Sequence, residues 1–240
     1  MNPLIMIPAR MGATRLPGKP LADIGGRAMI VRAWEQAAKS GLPAVVAAGD
    51  PEIVEAVQVA GGRAILTDPA LPSGSDRVLA ALNAVDPDGR HDAVINLQGD
   101  MPFADPAIPT ACAALLASEA ACDIATLVAL EAEASDRSNP DVVKAVLALG
   151  EGGTSGRALY FTRSTLYGDG PVWRHVGVYG YRRAALERFC AAPPSPLERR
   201  EKLEQLRALE IGLSIWAAVI DQAPLSVDNP ADLEAARALA

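Results

Sequence analysis

Residues 4–21 read LIMIPARMGATRLPGKPL. Leu4-Ile5-Met6-Ile7 is a short apolar run and reads as a buried strand. After Pro8 comes a loop broken by Gly12, Pro17, Gly18 and Pro20 and carrying three cations, Arg10, Arg15 and Lys19. No acidic residue appears until Asp23. A strand that runs into a basic, glycine- and proline-punctuated loop is a place to hold an anion, because backbone N–H groups and cations converge there. The plainer alternative is a surface loop with solvated charges. The loop is not a Walker A motif. Five residues rather than four separate Gly12 from Gly18, and Pro20 follows Lys19 where a hydroxyl would hold magnesium.

Outward from this loop the pattern alternates. Residues 28–40 read as a helix with Met29, Ile30, Ala33, Trp34 and Ala37 on one face. Residues 44–48 are a short apolar strand, and Asp50-Pro51 reads as an N-cap with proline at the first helical position. That helix stops at Gly61-Gly62, and a strand over 63–67 follows. Ser73-Gly74-Ser75-Asp76-Arg77 opens a helix to Val85, and residues 93–97 are a buried strand ending in Gln98-Gly99-Asp100. Strand–helix alternation predicts a parallel sheet with helices on its faces. Ligands of open α/β sheets bind beyond the carboxyl ends of the strands, so the basic loop and Gln98-Gly99-Asp100 are expected on one edge.

After a helix over 105–119 and a strand over 124–130 the pattern changes. Residues 142–147 and 157–161 read as successive strands joined by a glycine-rich turn that lacks the dinucleotide fingerprint. A strand over 176–181, a helix over 182–190, a charged amphipathic helix over 197–209 and a strand over 215–219 follow. Asp228-Asn229-Pro230 leads into a final helix. The second half reads as a subdomain inserted in or appended to one core.

Composition narrows the function. The 240 residues are half apolar, enough for one large domain. A net charge of −7 disfavours general nucleic-acid binding, which rests on neutralising phosphates. Against that background the basic loop suits a small polyanion. Three scattered cysteines, Cys112, Cys122 and Cys190, fit small buried residues in a reducing compartment better than a disulfide framework or a zinc site. The four-residue apolar run at the N-terminus is too short for a signal peptide, and no apolar stretch is long enough to span a bilayer, so a soluble cytoplasmic protein without membrane insertion is expected.

A cationic loop and an aspartate at a strand's carboxyl end are the parts needed to handle a nucleotide polyphosphate with Mg²⁺. That ion prefers oxygen and takes one or two carboxylates beside phosphate oxygens. Asp100 is the first candidate ligand and Asp228 the second. Their ordinary alternatives are a turn residue and a helix cap before Pro230. With only His91 and His175 in the chain, a histidine-rich metal site is excluded. His175 enters a strand beside Arg174, where it either lines a cleft or serves as a structural histidine. No G-x-S-x-G elbow or partnered cysteine supports covalent acyl chemistry.

Pro8-Ala9-Arg10 through Thr14-Arg15-Leu16-Pro17-Gly18-Lys19-Pro20-Leu21 resembles the signature of the sugar-acid cytidylyltransferases, in particular the 3-deoxy-manno-octulosonate (Kdo) cytidylyltransferase family. The resemblance continues through Ser73–Arg77, NLQGD at 96–100, Asn139-Pro140 with Val143-Lys144, ALYFTR at 158–163, RHVGVYGY at 174–181, PSPLE at 194–198, LEQLR at 203–207 and Val227-Asp228. It implies a Rossmann-like, mostly parallel α/β sheet of the nucleotidyltransferase type. A single domain would span residues 1–240, with approximately 140–180 forming a β-rich dimerisation and sugar-binding part of a homodimer.

The implied reaction is transfer of CMP from CTP to Kdo, releasing pyrophosphate, on the way to lipopolysaccharide. Arg10 and Lys19 would hold the triphosphate, with Arg15 as a loop brace or phosphate contact. Pro8, Ala9, Ser73, Gly74 and Arg77 would contact the nucleotide, and Asp100 and Asp228 would hold Mg²⁺. For the sugar acid the resemblance points to Gln98, Arg163, His175, Tyr179, Glu204 and Gln205. Arg163 can pair with a carboxylate and the others can read hydroxyls. Two positions depart from the family pattern, Leu71 in place of a histidine and Met101 in place of an acidic residue. They leave open another sugar acid, such as an 8-amino analogue or a nonulosonic acid. A CTP-binding regulator without turnover is the alternative from a different class.

Overall fold

The computed structural model describes residues 1–12, 16–131, 134–150 and 152–240. The chain forms two compact units, one of Met1–Thr110 with Pro224–Ala240 and one of Ala111–Ala223.

The first unit opens with β1 (Pro3–Ala9), in which Ile5, Met6 and Ile7 are fully buried. A 3-10 turn (Lys19–Leu21) and a two-stranded ribbon, β2 (Asp23–Ile24) and β3 (Arg27–Ala28), lead to α1 (Met29–Lys39). Then come β4 (Ala44–Ala48), α2 (Pro51–Val59), β5 (Arg63–Leu66), α3 (Gly74–Val85) and β6 (Ala93–Asn96), after which α4 (Ala107–Ser118) runs across the unit boundary at Thr110. The strands run β5-β4-β1-β6, each parallel to its neighbours. Burial on both faces explains why β1, β4 and β6 read as continuous apolar runs rather than as alternating patterns. The chain winds outward from β1 through β4 to β5, then returns to β6 on the other side. That reversal makes the gap between the carboxyl ends of β1 and β6 the switch point of this sheet, where a ligand crevice forms.

The second unit contains β7 (Ile124–Leu130), β8 (Lys144–Ala148), β9 (Ser155–Thr162), β10 (Trp173–Arg182), α5 (Arg183–Ala191), α6 (Pro196–Glu201), α7 (Gln205–Glu210) and β11 (Ile215–Ile220). Its strands run β10-β7-β11-β9-β8, mostly antiparallel, with β7 and β11 parallel. Trp173 and Arg174 at the start of β10 also pair with Ala145 and Lys144 of β8, which closes the order into a ring. Cys112 and Cys122 are free and buried, and burial pushes the Cys122 thiol up to about 12.

The single helix expected over 197–209 is two helices. Lys202, between α6 and α7, adopts a left-handed conformation with φ 56°. The break folds α7 back so that Arg207 meets Glu198 of α6 through Nε–Oε2 at 2.8 Å and Nη2–Oε1 at 2.6 Å, while Leu203 and Leu206 are buried. Tertiary pairing outweighs local helical preference here.

The chain returns to the first unit and ends in α8 (Pro230–Ala238). Val227, Leu233 and Ala236 pack with Ile24 and Met29, which anchors the segment carrying Asp228.

Candidate functional site

A cavity of about 350 Å³ lies at the switch point of the first unit. Its walls come from the ends of β1 and β6, the basic loop, the start of α3 and the segment before α8. The backbone approaches closely here. A Cβ on Gly99 would lie 3.1 Å from Pro8 O and 3.0 Å from Ile30 Cδ1, so glycine lets the turn after β6 sit against β1.

Lys19 joins the two predicted carboxylates. Its ammonium lies 2.7 Å from Asp100 Oδ2 and 3.2 Å from Asp228 Oδ1. Asp100 O accepts the Val227 N–H at 2.9 Å, which pins the two acidic segments together. Asp100 stands in the turn after β6, and Asp228 does not serve as a helix cap, since Asn229 caps α8 through a reciprocal box with Asp232. Asp100 Oδ1 is buried and has no hydrogen-bond partner among the described residues. An orphaned carboxylate oxygen beside a second carboxylate, with a cation already drawn between them, is a donor set that fits a hard divalent ion. Among the described residues no cluster of three or more His, Cys, Asp or Glu could hold a metal alone, so substrate and water oxygens would complete its shell.

Pro8, Ala9, Arg10, Ser73 and Gly74 all line the same cavity. Arg15 lies outside the described residues. Ser73 Oγ caps α3, accepting the Asp76 N–H at 3.2 Å. Arg77 also lines the cavity, but its guanidinium is occupied elsewhere: Nη1 donates to Thr67 Oγ1 at 2.6 Å and Asp68 O at 3.1 Å. Burial, then the nearby charge of Arg10, lowers its pKa. Arg77 thus braces the turn after β5 and presses against Gly49, where a Cβ would meet Arg77 Nη1 at 2.9 Å and Arg10 Cβ at 3.1 Å.

Asp50 is a residue the sequence pattern concealed. It stands at the N-cap of α2, yet its side chain makes no capping bond. Instead Oδ2 accepts the Met11 backbone N–H at 2.7 Å, holding the residue next to Arg10. Leu71 lines the cavity, whereas Met101 is 5% exposed and packs into the core.

Of the sugar-acid candidates, Gln98 lies in the first unit, lines the cavity and donates through Nε2 to Asn96 Oδ1 at 3.1 Å. The others lie in the second unit. His175 and Tyr179 of β10 have ring centroids 5.4 Å apart, and Phe161 meets His175 edge-on at 5.0 Å. Burial lowers the His175 pKa to about 4, so the ring is neutral near pH 7. Thr126 Oγ1 donates to Val178 O at 2.8 Å and lies 3.0 Å from His175 Nε2. Burial raises the Tyr179 pKa, with Tyr181 and the Glu204 carboxylate adding to it. The structure therefore brings His175, Tyr179 and Glu204 together. Gln205 is 7% exposed at the start of α7, and Arg163 follows the end of β9.

The sequence model of the cytidylyltransferase family matches residues 4–215. A 3-deoxy-manno-octulosonate cytidylyltransferase of Parvibaculum lavamentivorans is 59% identical over 240 residues, 99% of this chain and 92% of that one. Its counterpart in Rhodospirillum centenum is 58% identical, with 99% and 93% covered. The chain belongs to the 3-deoxy-manno-octulosonate cytidylyltransferase family.

A solved structure of CMP:2-keto-3-deoxy-manno-octonic acid synthetase complexed with CTP superposes with a TM-score of 0.90 at 36% identity, covering 100% of this chain and 98% of that one. A nucleotidyl transferase from Methanothermobacter thermautotroptrophicus shares the fold alone, with a TM-score of 0.61 at 14% identity and coverage of 99% and 96%. The cytidylyltransferase is thus a nucleotidyltransferase enzyme of mixed α/β fold. Part of its signature is structural. In PSPLE and LEQLR, Ser195 and Glu198 form a capping box, and Arg207 grips Glu198 and lies 4.6 Å over the Phe189 ring.

Proposed function

We propose that the protein transfers CMP from CTP to the anomeric hydroxyl of Kdo, giving CMP-Kdo and pyrophosphate for lipopolysaccharide synthesis. The observation that carries this reading is the Lys19–Asp100–Asp228 cluster at the switch point, with one carboxylate oxygen of Asp100 buried and unpartnered among the described residues. Arg10 and Lys19 neutralise the triphosphate, and Pro8, Ala9, Ser73 and Gly74 shape the wall against the nucleotide. Asp100 and Asp228 would hold Mg²⁺, which would supply positive charge to the reacting groups when bound. Lys19 leaves its bridge between the carboxylates for the phosphates, a shift its flexible stem permits.

The anomeric oxygen attacks the α-phosphorus in line, forming the new P–O bond as the bond to pyrophosphate breaks. Catalysis of this kind is mainly positioning and charge neutralisation. Arg163 pairs with the sugar carboxylate. Gln98, His175, Tyr179, Glu204 and Gln205 read the hydroxyls, His175 as a neutral donor or acceptor. Residues of approximately 140–180 serve sugar binding and dimerisation. A homodimer belongs to this reading, and sedimentation would test it. No helix among the described residues is long and apolar enough to cross a membrane, and a cytoplasmic site of action goes with this chemistry.

Purified protein given CTP, Kdo and Mg²⁺ should release pyrophosphate and form CMP-Kdo; silence at high enzyme concentration rejects the reading. Leu71 in the cavity wall keeps another sugar acid as the second reading. Competition among Kdo, its 8-amino analogue and a nonulosonic acid decides by kcat/KM. CTP binding without turnover for every acid would mark a regulator instead.

A further inference from the structure

Lys144 is 0% exposed, although it carries an ammonium. Burial lowers its pKa, and the Arg163 charge lowers it further against the pull of Asp136 and Glu201. Its Nζ donates to two backbone carbonyls, Asn139 O and Arg163 O, each at 2.8 Å. An apolar side chain of similar length would fill the same space but leave both carbonyls without this donor, so the lysine is tied to these two backbone positions rather than to packing alone.

What the ammonium holds is the carbonyl of a residue whose N–H is also held. The Arg163 N–H donates to Glu201 Oε2 at 3.3 Å, and the same carboxylate accepts from Thr162 Oγ1 at 3.1 Å and Tyr160 Oη at 3.4 Å. The side chain is steered as well, since Arg163 Nη1 donates to Pro140 O at 3.0 Å. The remaining guanidinium N–H groups of Arg163 have no partner among the described residues. Asn139-Pro140, Lys144 and Thr162-Arg163, singled out separately in the sequence, thus converge on one residue.

We propose that Lys144 and Glu201 are positioning residues that clamp the Arg163 backbone and so preset its guanidinium as a receptor for the carboxylate of a sugar acid. The inference rests on the sugar-acid reading above. A receptor fixed in advance loses little freedom on binding, whereas a displaced one forfeits both contact and alignment.

The test measures KM for Kdo and for CTP, with thermal midpoints, in the full-length Lys144→Met, Glu201→Ala, Glu201→Gln and Arg163→Ala variants and in Glu201→Ala combined with Arg163→Ala. Lys144→Met and Glu201→Ala should each raise KM for Kdo by about 10- to 100-fold, on the scale of a misplaced binding group, and leave KM for CTP within about twofold. Glu201→Gln keeps an acceptor and should recover most of the loss. With Arg163 already removed, Glu201→Ala should add nothing, since the two act through one contact. An unchanged KM for Kdo, an equal rise for CTP, or effects that add in full on Arg163→Ala would each overturn the clamp. If Lys144→Met fails to fold, the Glu201 series decides. Wild-type protein that turns over while the variants match it sinks this inference alone; wild-type protein that neither binds nor uses any sugar acid sinks the proposed function and the clamp together.

Discussion

Asp50 Oδ2 accepts the Met11 N–H at 2.7 Å although Asp50 stands where it should cap its own helix. A side chain diverted from a local stabilising role to a loop beside the cavity marks function set above helix stability. Asp50→Ala should therefore cost only about 1 kcal/mol of stability, the net worth of one hydrogen bond. It should raise KM for CTP by roughly 10-fold, because the residue after Arg10 is released. Asp50→Asn keeps an acceptor and should restore most of the affinity. Steady-state kinetics beside denaturant titration would check both halves; a large stability loss with unchanged KM refutes the assignment.

The two carboxylates that share Lys19 make a second expectation. Asp228→Asn should lower kcat by at least ~10²-fold, the scale of one lost electrostatic contact in the transition state. The Mg²⁺ concentration for half-maximal rate should rise in the same variant. Asp100→Asn should do at least as much, because it also alters the buried Oδ1. Chelation of divalent ions should abolish pyrophosphate release, and added Mg²⁺ should restore it. Full activity in either variant would remove the carboxylate pair from the mechanism.

Much of the first unit was legible because its signals are local. Leu4–Ile7 is apolar without interruption because a central parallel strand is buried on both faces. The basic loop and Asp100 were placed on one edge by the rule that links strand ends to ligands. Other features depend on distant partners. Asp-Pro reads as a cap, and only the folded chain brings Met11 to Asp50. The apolar period through 197–209 runs on past Lys202, and no Gly or Pro announces the break that Arg207 and Glu198 enforce. Arg77 reads as a free cation in a motif until Thr67 and Asp68 arrive beside it.

Arg207 ties a structural partner, Glu198 at 2.6 Å, to a sugar-site candidate, Glu204 at 3.6 Å. The Arg207 side chain is 7% exposed and that of Glu198 14%. Burial pushes the Glu198 carboxyl pKa up, but hydrogen bonds from Arg207 and the Ser195 N–H outweigh it and leave a net lowering. Arg207→Met leaves a buried carboxylate unpaired and should cost about 3 kcal/mol; because Nη2 also lies 3.6 Å from Glu204 Oε1, the folded fraction should show a raised KM for Kdo as well. Because the folded Glu198 pKa is depressed, the pair's stabilisation is present above the unfolded glutamate pKa and is lost as pH falls through the folded value. Urea midpoints across that range, in wild type and variant, would show it.

His175 gives the opposite kind of pH dependence. Its folded pKa of about 4 lies below the unfolded value of 6.5 because burial disfavours the imidazolium. The unfolded chain therefore binds a proton that the folded one does not, in the window between those values. Stability is unaffected by this residue above pH 6.5, falls as pH drops through the window and levels off below about 4, losing at most roughly 3 kcal/mol. His175→Gln keeps a hydrogen-bonding amide beside Thr126 but does not titrate, so its urea midpoint should lack this component of the slope. The same neutrality bears on the reaction. A ring that stays unprotonated near pH 7 meets the sugar acid through a hydrogen bond rather than a charge, so the pH profile of kcat/KM should show no limb near 6.5 from His175. A limb there that vanishes in His175→Gln would show that the ring charges in the folded protein.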